Sequence, residues 1–306
     1  PLWWRPAALW LLLVLLLHGF GWQRILAAAR PDPSADSLRL LVLQPSIPTR
    51  RKFHADQQLR LRRELLDAQD RAERLGSRIL VLPEGALGLM EPLPRQSTVD
   101  VLSGGFRRQG EQLRSALLAF PSGSRQPRFA LDKHRLVPLG EWIPAAGLLN
   151  WTGLSAVGGL SPGAPSRLFP LPSGALAVAI CYEIADGLAL AEAVRDGALW
   201  LVASANLDPY PAQLQRQFAA LAQLRAIETG RWLVSSANTG PSLVVDASGQ
   251  VRRSLPMGIA GTLDSTVERR SATTAYVSWG PTPLLLLLST GLLLRVSPAR
   301  LGRSPL

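Results

Sequence analysis

Cysteine is nearly missing from this chain: Cys181 is the only one in 306 residues. That excludes an intramolecular disulfide and any cysteine-based metal cluster. Histidine is almost as scarce. His18, His54 and His134 are the only three, and none stands at a His-x-x-His or His-Glu-x-x-His spacing, so neither a metal nor a cofactor is expected. Lysine occurs twice, at Lys52 and Lys133, among 33 basic residues. A chain that uses arginine for nearly all of its positive charge, yet keeps a lysine inside a dense polar segment, suggests chemistry that needs a compact, tunable ammonium. No patch interleaves aromatic and basic residues. The formal charge of +11 comes from scattered arginines, and both ends are apolar. This argues against nucleic acid and for an anionic membrane surface as partner. No internal repeat is visible.

Long apolar runs are present at both ends. Residues 7–17 are unbroken and extend to Trp22, with Trp3, Trp4 and Trp22 as interfacial anchors. At about 16 residues the run is short of the roughly 20 that span a bilayer. Two readings fit: a membrane helix, which is favoured, and a signal peptide with Arg5 ahead of it and a small-residue site at Ala27, Ala28 and Ala29. Residues 275–294 make a second run of about 20, about 30 Å long as a helix. Arg295, Arg300 and Arg303 follow it and put the C-terminus on the cytoplasmic side. If both runs span, residues 31–270 lie on the outer face. Three parts are therefore expected: an N-terminal transmembrane helix and linker (1–30), a catalytic domain (31–270), and a C-terminal transmembrane helix with a basic tail (271–306).

Between the runs the pattern alternates. A strand at 38–43 is followed by an amphipathic helix at 55–75, marked by Leu61, Leu65, Ala68, Ala72 and Leu75, and then by a strand at 79–82. That is an α/β unit. Short strands are expected at 99–102 and 115–118, a Gly- and Pro-rich loop at 147–165, and a hairpin within 168–181 around residues 172–174. A helix at 188–194 and a strand at 199–203 come next. A helix marked by Leu214, Phe218, Leu221 and Leu224 ends at Gly230, a C-cap signal. Strands at 233–236 and 243–245 follow, and the turn at 246–249 leads into a last strand pair.

Four polar residues stand at strand ends: Glu84, Lys133, Cys181 and Asn206. In open α/β sheets, sites gather beyond the carboxyl ends of strands. A thiol where a buried strand opens into a turn is held rigidly at its base and exposed at its tip, as a nucleophile needs. A carboxylate takes its proton, an ammonium lowers its pKa and steadies an oxyanion, and the thiolate attacks a carbonyl. Each residue also has a plain structural reading. Cys181 would be a small buried hydrophobe, Glu84 a neighbour of a helix cap, Lys133 a solvated charge and Asn206 a turn residue.

Four segments occur in one order: Leu82-Pro-Glu-Gly85, Asp132-Lys-His-Arg-Leu-Val-Pro-Leu-Gly-Glu-Trp-Ile-Pro144, Ile180-Cys-Tyr-Glu183 and Arg225-Ala-Ile-Glu-Thr-Gly230. Together they resemble the nitrilase (carbon–nitrogen hydrolase) superfamily and, within it, the apolipoprotein N-acyltransferase family. The resemblance covers about residues 38–295. It implies an α/β fold, a four-layer αββα sandwich flanked by transmembrane helices, on the periplasmic face of a bacterial inner membrane. Carried over, Cys181 is the nucleophile, Glu84 the general base and Lys133 the stabiliser of oxyanion and thiolate. Glu141 orients Lys133 or relays a proton. Tyr182 and Glu183 support the nucleophile, Asn206 matches a family asparagine, and Arg225 with Glu228 match a structural helix pair. The implied reaction is ping-pong. A phospholipid donates an acyl chain to Cys181, and the resulting thioester is attacked by the α-amine of a diacylglyceryl-cysteine at the N-terminus of an apolipoprotein. Apolar loops at 87–90 and 142–151 suit contact with the bilayer; the alternative is core or lid packing.

The sequence departs from the family pattern in places. The family's Asn-Asp-x-Trp is here Asn206-Leu-Asp-Pro-Tyr210, its Pro-Phe-Gly-Glu is Pro138-Leu-Gly-Glu141, and Leu131 stands where an aromatic is usual. Only one helix of its membrane domain is present, as expected of a fragment or a reduced relative. Two rival readings stand beside this one: a membrane-tethered amidase or nitrilase that shares Glu84, Lys133 and Cys181 but uses water, and a non-catalytic membrane scaffold, suggested by the lost Trp and the missing helices.

Overall fold

The computed structural model describes residues 4–28, 36–51, 54–138, 140–142, 159–208 and 210–296. Two six-stranded sheets face each other. The first sheet has the order β12-β1-β2-β3-β4-β5 and the second β11-β10-β9-β8-β7-β6. The strands are β1 (Asp36–Gln44), β2 (Ile79–Leu82), β3 (Asp100–Gln109), β4 (Gln112–Phe120), β5 (Phe129–Asp132) and β6 (Leu168–Phe169). They continue with β7 (Leu176–Ile180), β8 (Trp200–Ala205), β9 (Leu233–Ala237), β10 (Ser242–Val245), β11 (Val251–Leu255) and β12 (Gly261–Arg269). At the middle of each sheet the pairing is parallel, β2 with β1 and β3, and β8 with β7 and β9.

Parallel strands need helical cover on their outer faces, so they read as continuous apolar runs. Every residue of β2, β7 and β8 is buried. Side chains alternate between two interiors. Leu38, Leu40 and Val42 of β1 point between the sheets, where they meet Val178, Ile180, Trp200 and Val202. Leu41 and Leu43 point outward under helix α2 (Ala55–Arg74), against Leu65, Ala68 and Ala72. On the far side, Ala177, Ala179, Leu201 and Ala203 lie under α3 (Gly187–Arg195) and α4 (Ala212–Thr229). The layers are therefore helix, sheet, sheet, helix. Each fully buried Leu, Ile or Val contributes about 1.5–3 kcal/mol relative to leaving it in water.

The short strands expected around residues 99 and 115 are longer. β3 and β4 form a hairpin through Gly110, whose φ is +57°. The expected hairpin into Cys181 is β6–β7, and Gly230 caps α4 with a φ of +63°. The last two strands do not pair with each other. β11 pairs with β10 in the second sheet, and β12 runs antiparallel to β1 in the first, with Asp36 opposite Arg269.

At the N-terminus, helix α1 (Trp4–Ala28) is 25 residues long, about 37 Å at 1.5 Å rise. Its Ala7–Ala27 portion, 21 residues, is long and apolar enough to cross a membrane and has none of its window buried in the fold. It therefore outruns the 16-residue reading; a signal sequence would meet the same measure. The apolar run near the C-terminus needs correcting. It is not one uninterrupted helix of about 20 residues but two, α5 (Ala275–Trp279) and α6 (Thr282–Val296). Gly280, at φ 56° and ψ −141°, leaves the helical region, and Pro281 supplies no backbone N–H. Val277 of α5 is fully buried in the core under α3. The expected span thus spends its first turn on the folded domain, and α6 alone covers about 22 Å.

Candidate active site

The strand ends carry the site. Glu84 lies two residues beyond β2, and Lys133, Cys181 and Asn206 directly follow β5, β7 and β8. The two sheets meet at this edge, where the Asn206 backbone N–H donates to Glu84 Oε2 across 3.0 Å. Lys133 Nζ lies 3.0 Å from Glu84 Oε1 and 2.6 Å from Glu141 Oε1, with no side-chain exposure. It is not the solvated charge of the plain reading. Glu141 is anchored in turn by the Val137 N–H on its other oxygen, at 2.8 Å. Glu84 can lie where it does because Gly104 of β3 has no side chain. A Cβ there would stand 2.4 Å from the Glu84 Cα and 2.7 Å from the Pro83 carbonyl oxygen.

Cys181 opens the 3-10 turn Cys181–Ala185 with a φ of +53°, rare for a residue with a side chain. Holding such a residue costs on the order of 1–3 kcal/mol and is found where surrounding contacts over-determine it. Contrary to the sequence expectation of an exposed tip, Cys181 is buried, at 7% accessibility. Burial, and next the charge of Glu84, push the Cys181 thiol well above its ordinary range. The Lys133 ammonium pulls it down, Glu141 pushes it further up, and the Tyr182 backbone N–H aimed at the sulfur pulls down weakly. The net direction is upward, so the ammonium does not by itself yield a resting thiolate. Burial is the chief reason, and two carboxylates set against one ammonium add to it. Lys133 is also pushed up: burial disfavours its charge, but the charges of Glu84 and Glu141, and of Cys181 once it is ionised, outweigh burial and hold it protonated. The site at rest is a thiol within reach of the charges of Glu84, Lys133 and Glu141.

Glu183 fixes the sulfur relative to the lysine. It is 1% exposed. Its Oε1 accepts from His134 N at 2.6 Å, Arg135 N at 3.1 Å and Arg167 Nη1 at 2.9 Å, and its Oε2 from Ile180 N at 2.9 Å. One carboxylate thus ties the residues after Lys133 to the residue before Cys181. Arg167 Nη1 also donates to the Asp132 carbonyl at 3.1 Å. The Asp132 carboxylate receives Arg107 at 2.5 and 2.6 Å and Arg114 at 3.0 Å, pinning the end of β5. Tyr182 keeps its ring outside, 55% exposed, and only its backbone faces the sulfur. Asn206 is more than a turn residue: besides holding Glu84 it donates to Thr49 Oγ1 at 3.0 Å and accepts from Asn238 Nδ2 at 2.9 Å.

The sequence reading missed Arg167, Thr49 and Asn238, quoted Asp132 without a role, and noted Tyr210 only as a departure from the family's aromatic. Tyr210 packs against the core cluster that contains Cys181, and burial, followed by the nearby Cys181, raises its phenol. Asn238 had a usable signal, since it closely follows a predicted strand just as Asn206 does. Arg167 had none, standing in a stretch that reads only as loop. Of the apolar loops, 87–90 divides: Leu87 is core at 1% exposure, whereas Leu89 and Met90 are 50% and 60% exposed. Trp142 is 39% exposed, and 143–151 lie outside the described residues. Arg225 and Glu228 form an ion pair at 2.6 Å over Gly187.

A buried thiol, carboxylate and lysine on one edge of an α/β/β/α sandwich define a class, and the family comparison agrees. The carbon–nitrogen hydrolase model matches residues 98–276, and this chain belongs to that family. The match includes Lys133, Glu141 and Cys181 and begins after Glu84. Among curated relatives, the apolipoprotein N-acyltransferase of Prochlorococcus marinus (strain MIT 9313) is 49% identical over 93% of this chain and 56% of its own length. That of Parasynechococcus marenigrum (strain WH8102) is 48% identical over 89% and 58%. The chain therefore spans a little over half the length of these relatives. In fold it is similar to a Saccharomyces cerevisiae member of branch 10 of the nitrilase superfamily, with a TM-score of 0.58 and 13% identity over 90% of this chain and all of that one. It is also similar to a mutant amidase from Nesterenkonia sp. AN1 bearing the acetamide moiety of fluoroacetamide on its active site cysteine. There the TM-score is 0.56 and the identity 16%, over 85% of this chain and all of that one.

Proposed function

We propose that this chain carries the catalytic domain of an apolipoprotein N-acyltransferase, acting at a membrane through a thioester on Cys181. The observation that carries the reading is Lys133, fully buried between Glu84 and Glu141 at 3.0 and 2.6 Å at the strand edge where Cys181 stands. The relatives near 49% identity support the choice of reaction.

In the first half-reaction Glu84 takes the Cys181 proton as the sulfur attacks the ester carbonyl of a phospholipid. Proton transfer accompanies attack because the resting thiol holds its proton. Lys133 stabilises the oxyanion, with Glu141 fixing its position. The intermediate collapses, Glu84 returns the proton to the departing glycerol oxygen, and lysophospholipid leaves. In the second half the α-amine of a diacylglyceryl-cysteine attacks the thioester and gives its proton to Glu84. Sulfur is expelled and reprotonated, and an amide remains. Glu183 and the Tyr182 backbone hold the nucleophile, and Asn206 holds the base. Helix α1 serves as membrane anchor, with Leu89 and Met90 available to lipid. In this reading residues 31–270 form the domain on the periplasmic face of a bacterial inner membrane, and 1–30 and 271–306 hold the membrane segments.

The test is intact-mass analysis after incubation with phospholipid vesicles. The wild-type protein and Arg253→Ala, altered on the exposed strand β11, should gain one acyl chain on Cys181, and Cys181→Ser should form no thioester. No adduct on the wild-type protein would sink the transferase reading. Turnover of soluble amides without lipid would favour a hydrolase that uses water.

A further inference from the structure

Three chain segments from both sheets, those after β1, β8 and β9, converge behind Glu84, and one asparagine holds them together. Asn238, directly after β9, is 4% exposed. Its Nδ2 donates to the Ile47 carbonyl at 2.7 Å and to Asn206 Oδ1 at 2.9 Å, and its Oδ1 accepts from Ile47 N at 3.1 Å. Its backbone carbonyl accepts from Ser46 N at 2.7 Å, and its N–H donates to the Ala205 carbonyl at 3.0 Å. Every polar atom of the amide is satisfied in one orientation only, because Nδ2 meets two oxygens and Oδ1 meets an N–H. The loop after β1 is tied to the same frame: Thr49 Oγ1 takes the Asn206 amide at 3.0 Å, and Thr49 N donates to Asp208 Oδ2 at 2.7 Å. Ser46 sits at a φ of +52° within this loop. Among the described residues the frame makes one hydrogen bond to the catalytic groups, from the Asn206 N–H to Glu84 Oε2. Asn238 and Glu84 also line one small recess with Pro45, Ile47 and Leu61.

We infer that Asn238 is a positioning residue for Glu84: it locks the Asn206 peptide so that its N–H holds one carboxylate oxygen while the other faces Lys133. The inference rests on the reading of Glu84 as general base. Without the Asn238 side-chain amide, Asn206 Oδ1 loses its donor, the Asn206 peptide is held only from its Ala205 carbonyl side by the Asn238 backbone N–H, and the hold of its own N–H on Glu84 slackens. An N–H held on a carboxylate favours the charged form, so its loss moves the acid limb of the rate profile to higher pH. The groups that face Glu84 are Lys133 after β5, Glu141, Cys181 after β7 and Tyr210 before α4, and none of them is altered.

The test uses iodoacetamide, which reports on the sulfur whatever the natural donor is. The sulfur–carbon bond forms, iodide leaves, and the thiol proton passes to Glu84. Asn238→Ser, neutral and smaller, is expected to slow alkylation of Cys181 at pH 7 by about tenfold and to raise the acid limb by about one pH unit. In a double-mutant cycle it should add nothing on top of Glu84→Gln. Should Asn238→Ser fail to fold, Thr49→Val cuts the same frame and is expected to shift the limb the same way by less. A wild-type limb in the folded variant, or full additivity with Glu84→Gln, overturns the positioning role. Glu84→Gln alkylating at the wild-type rate would overturn the base assignment and this inference with it.

Discussion

Lys133 has no exposed side-chain surface and two carboxylate partners, so its pocket is shaped for an ammonium. A guanidinium is larger and planar, and its donors leave in a fixed fork. Lys133→Arg should therefore cost about 1–3 kcal/mol of stability by overpacking and lower acyl-enzyme formation by about 100-fold or more. Urea unfolding and single-turnover acylation read the two effects separately. Asp132 offers a pH test. Burial opposes its charge, but the hydrogen bonds from Arg107 and Arg114 outweigh burial and hold its carboxyl below the usual range. A depressed acid stabilises the fold above its unfolded pKa, near 3.9, and the gain is lost as pH falls through the folded value. Wild-type protein should thus be more stable than Asp132→Asn at neutral pH, with the gap closing below about pH 4; melts from pH 3 to 7 would show it. At this scale the sequence displayed Glu84 and Cys181 because each stands just past an apolar run, and Lys133 because it is one of two lysines and lies in a dense polar segment. It hid the clasp of Glu183 and Arg167, whose partners at 132, 134 and 180 meet only once the sheets have closed.

Between residue and fold lie the elements that aim the side chains. Glu84 is set by the turn after β2, and that turn rests on Gly104 of the neighbouring strand. Gly104→Ala should push Pro83–Gly85 away, since its Cβ would meet Glu84 Cα at 2.4 Å. We expect a stability loss of about 1–3 kcal/mol with a larger proportional loss of acylation, and alkylation of Cys181 should fall with it. Were activity to survive the substitution intact, Glu84 would not need its observed place. Helix α2 and the buried strands were readable from periodicity, because their patterns answer to local burial; of the four marks that announced α4, only Phe218 is buried, and Leu214 and Leu224 face outward. The partner of each strand was not. β11 and β12 follow one another as a hairpin would, yet β12 crosses to β1. Its nine residues, Gly261–Arg269, match the full length of β1, a complementarity that no local window displays.

For the molecule as a whole, the decisive segment runs from Arg270 to Gly280. Arg231, 1% exposed, donates to the Ala272 carbonyl at 2.5 Å and to the Ala198 carbonyl at 2.9 Å. Arg195 at the end of α3 donates to the Val277 carbonyl at 2.6 Å, and Thr274 caps α5 through the Val277 N–H at 3.1 Å. This strap climbs α3 from its last turn toward its first, where Gly280 reaches Leu188. The chain therefore enters α6 at the end of the sandwich that holds Cys181, which suits a site fed from a lipid surface. Hydropathy assigns residues 275–279 to the apolar run, but Val277 is spent on the core, so the cooperative unit should extend through Trp279. Truncation after Gly280 is expected to preserve the melting transition. Truncation after Arg270 strips Val277 from the core and leaves the buried Arg231 short of a carbonyl, at a cost of several kcal/mol. Equal stability of the two truncations would show that the strap is ornamental. Removal of residues 1–28, whose helix has no buried window, should by contrast leave the melt unchanged and weaken sedimentation with vesicles.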